Sequence, residues 1–292
     1  MLKPLDYLAI ATSIFFLGTN FVAVKYGVSQ FPPVFMVALR FTIVAAVLIW
    51  IAGPPGEKIK HIIGLSVTMG LIHFTLFFAG ISGVDAAVAA IVFQLGVPFS
   101  VLLAWLLIGD RFGWRRSIGM VVAFAGVVIL VGGPKSPSSL WHVFLVFASA
   151  AAWGLGAVQI KKMGPINVFK LGAWMAVFAV PQLYLATFLL ESGQFEAVQN
   201  ADWKGWVSVF YAAIGSSIIG YGLWYYLIRK YPVSRVLPFS LITPVVGVIS
   251  AVLMLGETLD AHKILGGAIT LAGVAFIQLR QSKTNKTGDV AA

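Results

Sequence analysis

The chain has 292 residues, of which 60% are hydrophobic and only 10% charged; its mean hydropathy is +0.95 and its formal net charge +10. Soluble domains carry about 45–50% apolar and about 25% charged residues, so a soluble core is excluded as the place to hide this much apolar surface, and lipid becomes the solvent. With no cysteine, the chain has no disulfide, thiolate metal site or cysteine nucleophile, and its four histidines (His61, His73, His142 and His262) lack any metal-ligand spacing. Neither a metal nor a cofactor is expected.

Ten apolar stretches follow one another, each of a length to cross a bilayer. The first, 7–27, carries only Lys3 before it and reads as a retained helix rather than a cleaved signal; Ser13 and Asn20 lie within it. The second, 34–52, holds Arg40 about two turns in. In the third, 61–81, His73 falls near the centre, on a stripe with Met69, Phe77 and Gly80. A histidine at that depth faces a cavity or a hydrogen-bonding neighbour, because lipid offers its nitrogens no partner. The fourth, 86–108, places Gln94 near its middle and Pro98 one turn later. The fifth, 115–132, carries Gly119 and Gly126. Trp153 lies deep in the sixth, 140–160, and Trp174 in the seventh, 168–190. The eighth, 205–228, sets Ser217, Tyr221 and Trp224 on one face. The ninth, 235–256, has Thr243 beside Pro244, and the tenth, 262–280, carries Gly266 and Gly273. Proline removes a backbone hydrogen bond, so Pro98 and Pro244 are candidate kinks or hinges. The glycines recur at seven-residue spacing and suit close helix packing, either within the chain or between two copies; a monomer is preferred. A polar tail, 281–292, is expected to be disordered.

Charge sets the orientation. With the N-terminus inside, cytoplasmic segments hold Lys3, Lys58, Lys60, Arg111, Arg115, Arg116, Lys161, Lys162, Lys170, Arg229, Lys230, Arg235, Arg280, Lys283 and Lys286. The opposite segments hold only Lys25, Lys135, Lys204 and Lys263. Such a bias places both termini in the cytoplasm and supports the count of ten. The basic balance is therefore a topology signal, and nucleic acid is not an expected partner. All ten carboxylates lie at span ends or in loops, which disfavours a proton relay through a buried carboxylate. For Asp110 and Glu257, capping the next helix is the plainer role. Arg40, the one cation within a span, either snorkels or pairs with a loop carboxylate, or else contacts a substrate carboxylate.

The chain also repeats itself. Pro98-Phe99 to Gly109-Asp110 matches Pro244-Val245 to Gly256-Glu257, Gly119 pairs with Gly266, and Ala125-Gly126-Val127 pairs with Ala272-Gly273-Val274. Near the start of each half, Ser13, Gly18 and Lys25 match Ser149, Gly154 and Lys161. The units are 1–133 and 138–280, five helices each. An odd helix count makes the two halves enter the membrane from opposite sides, as in the inverted repeats of alternating-access transporters.

On these residues the chain resembles the drug/metabolite transporter superfamily, specifically the EamA-type ten-helix members and, among them, bacterial exporters of amino acids, including aromatic ones. The resemblance covers residues 5–280. It implies an all-α fold of two inverted five-helix repeats, a location in the bacterial inner membrane, and a central cavity that moves small solutes. Asn20, His73, Phe77, Gln94, Trp153, Ser217, Tyr221 and Trp224 are the candidate cavity residues. Amino acids lead as solutes; drugs, nucleotide sugars or other organic molecules are the alternative. An intramembrane enzyme is disfavoured: Gly109-Asp110 sits at a helix end without a Tyr-Asp partner, and no Ser-His pair carries a motif.

Overall fold

A computed structural model describes residues 2–133 and 139–288; it is all-helical among them. Ten helices are long and apolar enough to span a membrane: α1 Pro4–Gly27, α2 Pro33–Ala52, α3 Gly56–Ser82, α4 Ala86–Ile108, α5 Trp114–Val131, α6 Leu140–Met163, α7 Val168–Leu190, α8 Trp203–Lys230, α9 Leu237–Leu255 and α10 Ala261–Leu279. The protein is thus a multi-pass membrane protein with ten spans. A short surface helix, Gln194–Asn200, lies between α7 and α8. Where a disordered tail is expected from Gln281, the backbone of α10 continues helically to Gly288, because no glycine or proline interrupts it after Gly273. Residues 289–292 of that tail, and residues 134–138, lie outside the described residues.

The Gly109-Asp110 and Gly256-Glu257 pairs act as helix stops. Gly109 (φ 69°, ψ 17°) and Gly256 (φ 68°, ψ 22°) are both left-handed, a conformation that disfavours any residue with a Cβ. After each, the chain folds back through the same bonds. Asp110 N–H donates to Ala104 O and Gly109 N–H to Trp105 O; Glu257 N–H donates to Ala251 O and Gly256 N–H to Val252 O. These paired bonds satisfy the last carbonyls of α4 and α9. The prolines have matched settings too. A 3₁₀ turn, Phe93–Leu95, ends three residues before Pro98, and another, Leu237–Leu241, ends three residues before Pro244. Each helix tightens where proline has removed a donor. In α3 and α8 the backbone widens instead into π-helix, at Ser66–His73 and Tyr211–Gly220.

Hydrogen bonds between helix ends define two faces of the bundle. At the proximal end, where α1 begins, Asp6 receives bonds from Lys230 and Tyr231, and Lys161 pairs with Asp110 at 2.6 Å. At the distal end, Lys25 reaches the last carbonyls of α3 and Glu257 reaches the start of α4. The apolar core differs between the two. One large cluster, including Phe31, Met36, Phe78, Ala89 and Val209, fills the distal half and runs on into the proximal half along α2 and α7, at Leu48, Ala52 and Ala173. Two small clusters lie apart from it in the proximal half: Ile10, Ile14, Leu227 and Val236 (α1 and α8 with the approach to α9), and Ile62, Leu65, Met163 and Leu171 (α3, α6 and α7).

The glycine stripe is spent within the chain. Helices α5 and α10 meet backbone to backbone: a Cβ on Gly266 would lie 2.3 Å from Leu130 N, and one on Gly126 would lie 2.4 Å from Thr270 N. The stripe is therefore not a surface offered to a second copy. Gly266→Ala adds an atom where only backbone stands to yield. It is expected to cost about 2 kcal/mol, outweighing the helix-propensity gain of about 1 kcal/mol, and to lower the thermal unfolding temperature in detergent. Gly64→Ala, whose Cβ would meet nothing within 4 Å, leaves that temperature unchanged or raises it.

Candidate functional site

The divided proximal core leaves a cavity with two adjoining lobes. One, about 280 Å³, lies among α2, α3, α6, α7 and α8; the other, about 300 Å³, lies among α1, α3, α4, α6, α8, α9 and α10. Arg40, His73, Phe74, Trp153, Tyr221 and Trp224 line both. The lining comes from mid-span positions and from the proximal halves of the helices. A shallower depression of about 330 Å³ adjoins the first lobe at the proximal surface, where it shares Val168, Phe169 and Tyr225 and adds Arg229 and Lys230.

Each candidate cavity residue reaches this space. His73, Trp153, Tyr221 and Trp224 face both lobes; Ser217 lines the first; Asn20, Phe77 and Gln94 line the second. Pro98 and Pro244 do not line it, but their neighbours Val97 and Thr243 do. Trp174, deep in sequence, donates instead to Gly53 O at the proximal end, 2.8 Å away, and stays out of the cavity. The histidine has both roles foreseen for it. His73 is buried, and its Nδ1 lies 3.0 Å from Ser149 O on α6. Ser149 Oγ lies 2.9 Å from the same nitrogen, so Nδ1 finds a partner on α6 in either tautomer, donating to the carbonyl or accepting from the hydroxyl. Phe74, Phe77 and Phe93 pack around the ring.

Arg40 corrects the expectation of snorkelling or pairing with a loop carboxylate. Its side chain is only 2% exposed, and among the described residues no carboxylate pairs with it. Nε donates to Ser217 Oγ at 3.0 Å, and the guanidinium carbon sits 4.7 Å from the Phe74 ring centroid. The π-segment of α8 makes the first contact: Ser217 Oγ donates five residues back to Ala212 O and so turns its lone pairs toward Arg40. The side chain is held inward by these contacts rather than drawn to the surface.

The distal end is closed by charges that serve helix ends. Helix α2 starts after Pro32 and α4 after Asp85, neither with a side-chain cap of its own. Glu191, at the end of α7, accepts from Val34 N–H and Phe35 N–H at 2.8 and 3.0 Å. Glu257, at the end of α9, accepts from Ala86 N–H and Ala87 N–H at 2.6 and 3.0 Å. Glu257 thus caps a helix, as expected, but caps α4 across the bundle rather than the next helix in sequence. Burial pushes its carboxyl above the usual range, partly offset by the two N–H bonds. Lys25 donates to Ile81 O, Ser82 O and Val84 O, and Lys263 pairs with Asp85 at 2.6 Å. Asp110, the counterpart of Glu257, does not cap a helix but pairs with Lys161, and both are about half exposed.

Several lining residues escape a reading by residue type. Phe74 and Phe93 look like ordinary core, and Ser240 and Gln278 lie outside the expected stripes. Polar side chains deep in apolar helices were the available signal. Gln159 and Gln182 follow that pattern: Gln159 donates to Thr68, and Gln182 donates to Ser66, which ties α6 and α7 to the π-segment of α3.

Comparison with known proteins agrees with this architecture. The model of the EamA-like transporter family matches residues 5–132 and again 140–279, and the chain belongs to that family. It is 29% identical to a probable amino-acid metabolite efflux pump of Escherichia coli over 93% of this chain and 94% of the relative. A protein of the same description from Salmonella typhimurium is also 29% identical, with 94% of each chain covered. A solved crystal structure superposes with a TM-score of 0.64 at 19% identity, over 96% of this chain and 98% of its own, a likeness of fold. The protein is therefore a membrane transporter of small solutes and not an enzyme.

Two capping carboxylates generate predictions. Glu257→Ala strips the first turn of α4 of its cap. It is expected to destabilise the protein by about 1–2 kcal/mol and to speed amide exchange at Ala86 and Ala87. Asp202 caps α8 through Gly205 N–H and accepts from Tyr26; both bonds hold its carboxyl below the ordinary value of 3.8. A depressed value contributes stability above 3.8 that is lost as pH falls through the folded-state value. Amide exchange at Lys204 and Gly205 should therefore accelerate on acidification below that range, whereas Asp202→Ala should remove the response.

Proposed function

We propose that this protein exports amino acids or similar small metabolites from the bacterial cytoplasm across the inner membrane, by alternating access between two inverted five-helix repeats. The observation that carries the reading is the division of the core. One apolar cluster closes the distal half and reaches the proximal half along α2 and α7, while two separate small clusters flank a cavity there. That is the arrangement of a carrier open to one side only. Two successive matches to one family model support the repeat, as do the paired helix stops, 3₁₀ turns and π-segments. The excess of Lys and Arg in the proximal segments supports an inward-facing state with cytoplasmic termini. Aromatic walls with a few polar groups suit solutes of varied side chain. The amino-acid assignment draws on the efflux pumps to which the chain is distantly related. With both repeats in one chain, a monomer suffices, and Pro98 and Pro244 serve as hinges beside the cavity.

Purified protein in liposomes is expected to move at least one labelled amino acid from a panel; no flux of any solute would sink the reading. His73→Ala and Tyr221→Ala should each lower that flux by about tenfold, the loss of roughly one good contact. Access is separately measurable, because the chain has no cysteine of its own. A cysteine at Ala157, on the cavity wall, should react with an impermeant maleimide from the cytoplasmic side, and one at fully buried Ala89 from neither. Labelling of Ala157→Cys from the outside alone would reverse the proposed orientation.

A further inference from the structure

We infer that Arg40 is the receptor for a carboxylate on the transported solute, with Asn20 Oδ1 taking a donor from the same molecule, so that the cavity selects acids over the corresponding amides and amines. The inference rests on the proposed transport reading and deepens it.

Among the described residues, Arg40 is the one charged side chain on the wall of either lobe, and it faces both. It is buried and touches no carboxylate among the described residues. Of its five N–H donors, the one on Nε is engaged by Ser217, while the guanidinium plane is supported by Phe74 and Phe78. Such an arrangement fixes the plane of the fork and leaves its outer edge for a two-oxygen acceptor, the geometry that suits a carboxylate. An uncompensated cation in a dry wall is costly, and an anionic group on the cargo removes that cost.

Asn20 supplies the second point. Its Oδ1 is fully buried and has no hydrogen-bond partner in a lobe that Arg40 also lines. An orphan acceptor there matches an ammonium or amide N–H. Among the described residues the cavity wall holds no Asp or Glu, so a cation without a carboxylate meets Arg40 unopposed. Decarboxylated amines are thereby repelled, and amino acids, neutral overall, are accepted. The aromatic residues Phe77, Phe93 and Trp153 leave the side chain an apolar place.

The test is binding, read by thermal shift on the full-length protein in detergent, with phenylalanine, phenylalaninamide and phenethylamine as probes, and leucine with its amide and amine as a second set. For at least one set, the acid should bind more tightly than its amide and amine by about tenfold or more. In Arg40→Gln the acid should lose that advantage while the amide changes little; Arg40→Lys should restore part of it. Asn20→Leu should weaken the acid without erasing the acid-to-amide preference. Equal binding of acid and amide by the wild type overturns the inference, as does binding of none of the probes, or an unchanged preference in Arg40→Gln. The wild-type ratio decides even if Arg40→Gln does not fold. Liposome flux separates the two claims. Flux of amides and amines as fast as acids defeats the role of Arg40 and leaves transport standing, whereas acid-selective binding without flux defeats transport and leaves the receptor.

Discussion

In hydrocarbon, a backbone N–H or C=O without a partner has no water to turn to. A helix satisfies its own interior but leaves groups bare at both ends, and the rest of this bundle depends on how those ends are served. Glu191 and Glu257 serve the starts of α2 and α4, and Lys25 serves the end of α3. Because each donor or acceptor comes from a different helix, satisfying the ends also joins them. The charges at the distal end are few but are spent on this work, and they tie the distal face together.

The proximal face is tied as well, but in separate groups. Asp6 binds Lys230 and Tyr231, and Asp110 binds Lys161, but these bonds hold α1 to α8 and α4 to α6. None of them spans the space between the two small proximal clusters. The cavity is thus the gap between two groups of helices, and its polar groups are held by local backbone geometry. The π-segment of α8 aims Ser217 at Arg40, and that of α3 ends on His73. A π-segment exposes backbone and side chain at angles that a regular helix cannot, which is why such segments recur at functional places.

Much of this was legible from residue type and spacing. Hydropathy supplied ten spans, with limits within a few residues of those observed. The polar and aromatic residues singled out at depth, from Asn20 to Trp224, reach the cavity wall, because an apolar solvent sorts such groups inward. Other features depend on contacts between distant segments. Arg40 reads as a snorkelling side chain until Ser217, 177 residues away, is found holding it. Glu257 reads as a cap for α10 because that helix is next in sequence, whereas α4 is next in space. The π-segments leave no signature in residue type, since the widened turn answers to the packing around it. Trp174 misleads for a related reason: a large aromatic at depth also serves as a hydrogen-bond donor to a helix end.

The seam between α5 and α10 bears on how these two helices can move. Gly126, Gly266 and Gly273 bring the two backbones together main chain to main chain, while Gly119 receives the side chain of Ile277. Sliding one helix along the other by a single residue would drive a neighbouring side chain into main-chain atoms. Rotation about the line of contact meets no such obstacle. The contact is therefore built like an axle between α5 and α10: its geometry resists translation and leaves room for tilt.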